Sequence, residues 1–169
     1  MKTLALGLCC LLATATGCTQ TRVDWNEAGK IVDRNIVQIT AVSRLVTARI
    51  LLDQPREMAE KVNQVSAKLV GILDAENMKL SIDPQAAVSQ INLLIVSAFP
   101  EIRDNMQIIQ IIDTVVILAI GRIENLSSEI QIDKENTMIK FIRAAVIGIR
   151  DGSTPLALDQ IKSSATSSQ

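Results

Sequence analysis

No histidine and no tyrosine occur in the 169 residues, and the aromatic side chains amount to one Trp and two Phe. Without imidazole, Ser-His-Asp and Cys-His catalytic sets are excluded, as are zinc sites with imidazole ligands. The three Cys all lie within the first 18 residues, so any thiol chemistry would have to use the extreme N-terminus. An excess of one charge is also missing. The 17 Lys+Arg stand against 18 Asp+Glu, with a pI of about 5.5, and a nucleic-acid partner would need a basic face. No Gly-rich loop ending in Gly-Lys-Ser/Thr is present, no Gly-x-Ser-x-Gly elbow, and no Lys three residues after a Ser. No cofactor is implied, and nothing in the sequence points to an enzyme.

What is present begins at the N-terminus. Met1-Lys2-Thr3 supplies one positive charge ahead of an apolar stretch from Leu4 to Ala13, and small residues lead from there to Cys18. A short basic start, an h-region of about ten residues and a small-residue exit form a secretory signal. The apolar run is too short for a membrane span of roughly 20 residues.

At Ala15-Thr16-Gly17-Cys18 the segment resembles the lipobox of bacterial, or phage-encoded, lipoproteins. The resemblance covers only the first 18 residues. It implies cleavage before Cys18, a diacylglycerol on the Cys18 sulfur and acylation (palmitate or similar) of its amine. Residues 1–17 would then be the signal peptide and residues 18–23 a lipidated tether. Thr19, in place of an Asp after the lipidated Cys, implies sorting to the periplasmic face of the outer membrane. Several acyl chains anchor far more firmly than one. The other reading is an ordinary secretory signal cut after Ala13 or Ala15, with Cys18 an incidental thiol. Cleavage before Cys18 leaves no second Cys for a disulfide, so the fold must rest on its apolar core.

From Trp25 onward apolar residues recur every three or four positions, the helical period. Trp25, Ala28, Val32, Ile36, Ile39, Val42, Val46 and Ile50 share one face of a first helix over about 24–52, with Asp24 suited to its N-cap. A second helix over about 55–73 places Met58, Val62, Val65, Leu69 and Ile72 opposite a charged face. Asp83-Pro84 reads as an N-cap followed by Pro at the first helical position and opens a third helix to about Ala98. Phe99-Pro100-Glu101 breaks it and starts a fourth, to about Leu126, with two apolar stripes. A helix apolar on more than one face is packed by several neighbours, so this helix is expected at the centre. Gln110, Asp113 and Thr114 interrupt its most apolar part and argue for a protein core rather than a bilayer. Asp133 caps a fifth helix over about 134–150, and Asp151-Gly152 is expected to close it, Gly152 tolerating a left-handed conformation. The spacing of Gly148 and Gly152 reads as a helix end. Thr154-Pro155 opens a short sixth helix in which Leu158 and Ile161 cap the bundle.

The expected architecture is all-α, an up-and-down bundle of five to six helices over residues 24–162, with a flexible Ser/Thr-rich tail over 163–169.

Few residues are candidates for chemistry. Glu57/Glu60 and Glu101/Asp104 are carboxylate pairs three apart, the minimum a cell-wall glycosidase needs. Yet both sit near helix starts, where acids favour the positive end of the dipole. Asp113 is a candidate buried polar centre, because an interior carboxylate needs a partner. Arg49 and Arg143 are candidates for it, and the alternative is a narrow polar strip beside Gln110. Trp25, seven residues after Cys18, is a possible membrane-interface anchor or a cover for the end of the bundle.

The function expected from these residues is a lipid-anchored, periplasm-facing binding or scaffold protein of the cell envelope. Its partners would be the membrane, through the anchor, and an envelope protein that it modulates, as phage-exclusion and lysis-associated lipoproteins do. The alternatives are a carrier of a lipid or small apolar ligand between helices and a carboxylate-based hydrolase.

Overall fold

The computed structural model describes residues 25–75, 78–103 and 105–166. Six α-helices and one 3-10 turn make an all-α bundle: α1 (Trp25–Leu51), α2 (Arg56–Leu73), α3 (Pro84–Ala98), the turn Pro100–Ile102, α4 (Met106–Glu129), α5 (Lys134–Gly152) and α6 (Pro155–Thr166). No strand occurs among the described residues.

Helix starts follow their local chemistry. The Asp83 carboxylate accepts from the Ala86 amide at 2.8 Å, and the Asp133 carboxylate from the Asn136 amide at 3.2 Å. Each satisfies one of the donors that a first turn leaves unpaired. The Asn136 backbone amide, joined by its side-chain Nδ2 donating to Asp133 Oδ2 at 2.7 Å, holds the Asp133 carboxyl below its ordinary range. Three boundaries differ from the sequence-based expectation. Pro100 opens only a 3-10 turn, and α4 begins at Met106. α5 continues through Gly152, which is helical rather than left-handed, and Ser153 is the cap at φ −88°. α6 runs on to Thr166, into the segment expected to be a tail.

Both apolar stripes of α4 are used. Ile109, Ile112, Val116, Ala119, Ile123 and Leu126 are buried on one side, and Ile108, Ile111 and Val115 on the other. By length and composition α4 is apolar enough to cross a membrane, but it packs against α1, α2, α3 and α5. The central place expected for it nevertheless belongs to α5. Phe141, Ile142, Ala145, Val146 and Ile149 of α5 are fully buried, and the helix packs along α1, α2 and α4. α1 and α2 are consecutive in the chain, yet each has α5 as its main neighbour.

Small residues on α5 make that position accessible. A Cβ added at Gly148 would lie 2.5 Å from the Thr40 carbonyl oxygen and 2.5 Å from Ser43 Cβ. One added at Gly152 would lie 2.4 Å from the Arg44 carbonyl oxygen. Gly148 and Gly152 therefore form a helix-packing seam, and Gly152 is also the last residue of α5, at the helix end expected from their spacing. The contact advances along α1 as it advances along α5, so the two helices run in the same general direction. This agrees with alternation in an up-and-down bundle.

Candidate functional site

Close approach of α5 to α1 determines what α1 can present outward. α6 follows α5 directly and packs its buried Ala157 toward the middle of α1. The Arg44 guanidinium bridges the two, donating to Gln160 Oε1 at 2.9 Å. Between them lies an open groove of about 680 Å³, lined by Val37, Ala41, Leu45, Ala48, Ala157 and Ile161. Its one acid, Asp151, is held by Arg150 at 2.9 Å. On its other side α1 shares a smaller cleft of about 240 Å³ with α4, lined by Val42 and Leu118 among others. Val42, expected on the buried face of α1, is half exposed there.

A polar pair lines that second cleft, joining the buried Asn35 of α1 to the exposed Arg122 of α4. Asn35 Nδ2 donates to the Ile31 carbonyl at 2.8 Å, and Arg122 Nε donates to Asn35 Oδ1 at 2.6 Å. A charge-assisted bond of this kind is among the stronger ones, and it ties α1 to α4 in a single register. Neither residue is singled out by the helical period. A hint was present in Asn35, a polar residue three and four positions from Val32 and Ile39 on the buried face.

Asp113 is half-buried between α3 and α4. Its partner is Asn92, whose Nδ2 donates to Asp113 Oδ2 at 3.1 Å, not Arg49 or Arg143. Arg49 is exposed. Arg143 grips Asp74 with two donors, the Nη2–Oδ2 contact being 3.1 Å, and this hydrogen bonding holds the Asp74 carboxyl below its ordinary range. Burial pushes the Asp113 carboxyl up, partly opposed by the Asn92 bond. Asp113 Oδ1 and Asn92 Oδ1 are both buried acceptors without a donor. A proton on Asp113 removes the buried charge and supplies a donor beside two acceptors that lack one. Gln110 and Thr114 beside it are exposed, so the polar-strip reading of Asp113 describes its setting, with Asn92 as the addition.

The carboxylate pairs do not form a cleft. Glu57 and Glu60 are exposed and turned to Lys61 at 2.9 Å and Arg56 at 3.2 Å, and the Lys61 bond lowers the Glu57 carboxyl. Glu101 is exposed, while Asp104 lies outside the described residues. The lipobox residues Ala15, Thr16, Gly17 and Cys18 also lie outside them. Trp25 begins α1, and its side chain is not among those described. No group of three or more Asp, Glu, His or Cys suited to a metal ion occurs among the described residues.

The chain matches no family model, no curated protein and no solved structure. Its function is therefore argued from its own residues.

Proposed function

We propose that the chain is a lipid-anchored, periplasm-facing helical binding or scaffold protein of the bacterial cell envelope. The observation that carries this reading is Ala15-Thr16-Gly17-Cys18 at the end of a short apolar run, directly ahead of a closely packed helical body. The body adds support of a different kind. Its core side chains are committed to packing, and an open exterior groove runs beside α1. Binding through a surface suits such a body, and an envelope protein that it modulates is the partner this reading implies.

A second reading, a carrier of a lipid or other apolar ligand, is favoured by one feature. The α1–α6 groove is about 680 Å³, within the size range of small-molecule sites. It opens to solvent, whereas the space between the Ile- and Val-rich helices is filled by Phe141, Ile142 and their neighbours.

The test compares the native chain with Cys18→Ser in cells. Mass spectrometry of the native chain is expected to show an acylated N-terminal Cys18, with the protein in the outer-membrane fraction. In-cell crosslinking is expected to recover an envelope protein with the lipidated form. A native chain that retains residues 1–17, or carries a free Cys18 thiol, overturns the anchor. Bound lipid in native mass spectrometry of the unacylated chain would shift the assignment to the carrier.

A further inference from the structure

α1 exposes an apolar face that no other described element covers. Val37 is 69% exposed, Leu45 61% and Val42 50%, and Leu118 of α4, across the shared cleft, is 51% exposed. Residues 37, 41 and 45 are spaced by four and fall on one line of the helix, with Val42 beside them. Isolated exposed apolar residues need no explanation, but a contiguous patch marks an interaction surface.

The charges around the patch are mostly basic, with the exposed Asp33 and Asp53 standing at its two ends. From Arg34 to Leu52 the charged residues of α1 are Arg34, Arg44 and Arg49, with no acid among them. Arg44 is engaged with Gln160. Arg34 and Arg49 are exposed and make no ion pair among the described residues. An apolar helix face flanked by arginines is the chemistry of a helix lying in the interface of an anionic bilayer.

Chain length permits that placement. Cys18 stands seven residues before the start of α1, a reach of at most about 24 Å when extended. The 27 residues of α1 span roughly 40 Å. An upright α1 would hold Leu45 tens of ångströms from the anchor plane, whereas a reclining α1 brings Val37, Ala41 and Leu45 to the surface together.

We infer that the outward face of α1, centred on Val37, Ala41, Val42 and Leu45 and flanked by Arg34 and Arg49, lies against the anionic phospholipid surface of the membrane that holds the anchor. The inference rests on the proposed lipidation at Cys18. It adds that the body is held flat by a second, reversible contact, which leaves the α2 side of the bundle facing the periplasm.

The full chain, made in bacteria with its signal, serves as the test. It is prepared as Ala41→Cys and, on the exposed face of α2, as Ala67→Cys. Each is labelled with a nitroxide and reconstituted into vesicles of phosphatidylethanolamine and phosphatidylglycerol, or of phosphatidylcholine alone. Label stoichiometry reports on the anchor separately: one label per chain if Cys18 is acylated and the leader removed, more if it is not. On anionic vesicles the label at 41 is expected to be open to oxygen and shielded from a water-soluble nickel chelate, while the label at 67 stays open to the chelate. Replacing Arg34 or Arg49 by Gln lowers the ratio of lipid-seated to water-facing label about fivefold each. A chelate-exposed label at 41 on an acylated, vesicle-bound chain overturns the inference and leaves the anchor intact. Equal seating on phosphatidylcholine overturns it too. So does a label at 41 shielded from both probes in detergent, which places a second copy or a protein partner there. If stoichiometry shows a free Cys18, the anchor reading falls, and Cys18→Ser in the Ala41→Cys background reads the face alone. Seating on anionic vesicles then upholds the face, and its absence removes both.

Discussion

Replacing Gly148 by Ala separates two opposing effects of one methyl group. In an open helix interior, Gly→Ala stabilises by about 1 kcal/mol, because Ala has less backbone freedom to lose. At Gly148 the new Cβ would meet the Thr40 carbonyl oxygen and Ser43 Cβ, each at 2.5 Å. Ordinary contact begins about 1 Å further out, and the obstructing oxygen belongs to helix backbone, which cannot swing aside. α1 must therefore move off α5, losing dispersion contacts along the seam. Overpacking of this kind costs about 3 kcal/mol, for a net loss of about 2 kcal/mol. For a domain of this size that lowers Tm by roughly 4–8 °C. Gly152→Ala is expected to behave alike, since its Cβ would lie 2.4 Å from the Arg44 carbonyl oxygen. Gly71 in α2 and Gly121 in α4 have nothing within 4 Å of an added Cβ. Their Ala variants are expected to raise Tm by roughly 2–4 °C. Thermal unfolding followed by circular dichroism at one pH reads all four. A Gly148→Ala variant as stable as Gly121→Ala would refute the seam.

Two further predictions concern the polar groups. The Asp113 carboxyl is raised in the folded chain, chiefly by burial. Its contribution to stability is thus fully present below its unfolded value of about 4 and is lost as pH rises through the folded value. Asp113→Asn is expected to gain up to about 1 kcal/mol at pH 7 and to lose that advantage near pH 4; melting curves that differ by a constant across this range would contradict the assignment. Asn35→Ala removes the acceptor of Arg122 inside the α1–α4 contact and is expected to cost about 2 kcal/mol. A double-mutant cycle with Arg122→Ala in denaturant titrations should show strong coupling, and additive losses would mean that the bond contributes nothing.

The Asn92–Asp113 pair also shows where reading along the chain stops. An acid among Ile112 and Val115 announces that it needs a neighbour, but the need is met by an amide on α3 that carries no charge to advertise it. Arg143, the more conspicuous candidate, is drawn to Asp74. Both sites lie on helices whose facing direction depends on packing, which residue spacing does not record. Val42 is a similar case: it fits the apolar stripe of α1, but in the fold that position lines the open cleft shared with α4.

Helix content, most helix starts and the all-α class followed from the sequence by itself. A period of three to four, Asp at a cap and Pro in a first turn act over one or two turns of chain, and those interactions are present before any long-range contact forms. The order of helices in space came only from the tertiary structure. Periodicity marks a face as apolar without naming the helix that will cover it. α5 took the centre because Gly148 and Gly152 let its backbone approach α1 more closely than any side chain would allow. The outward apolar face of α1 is the remainder of that choice: the helix is longer, and apolar around more of its circumference, than α4, α5 and α6 together cover.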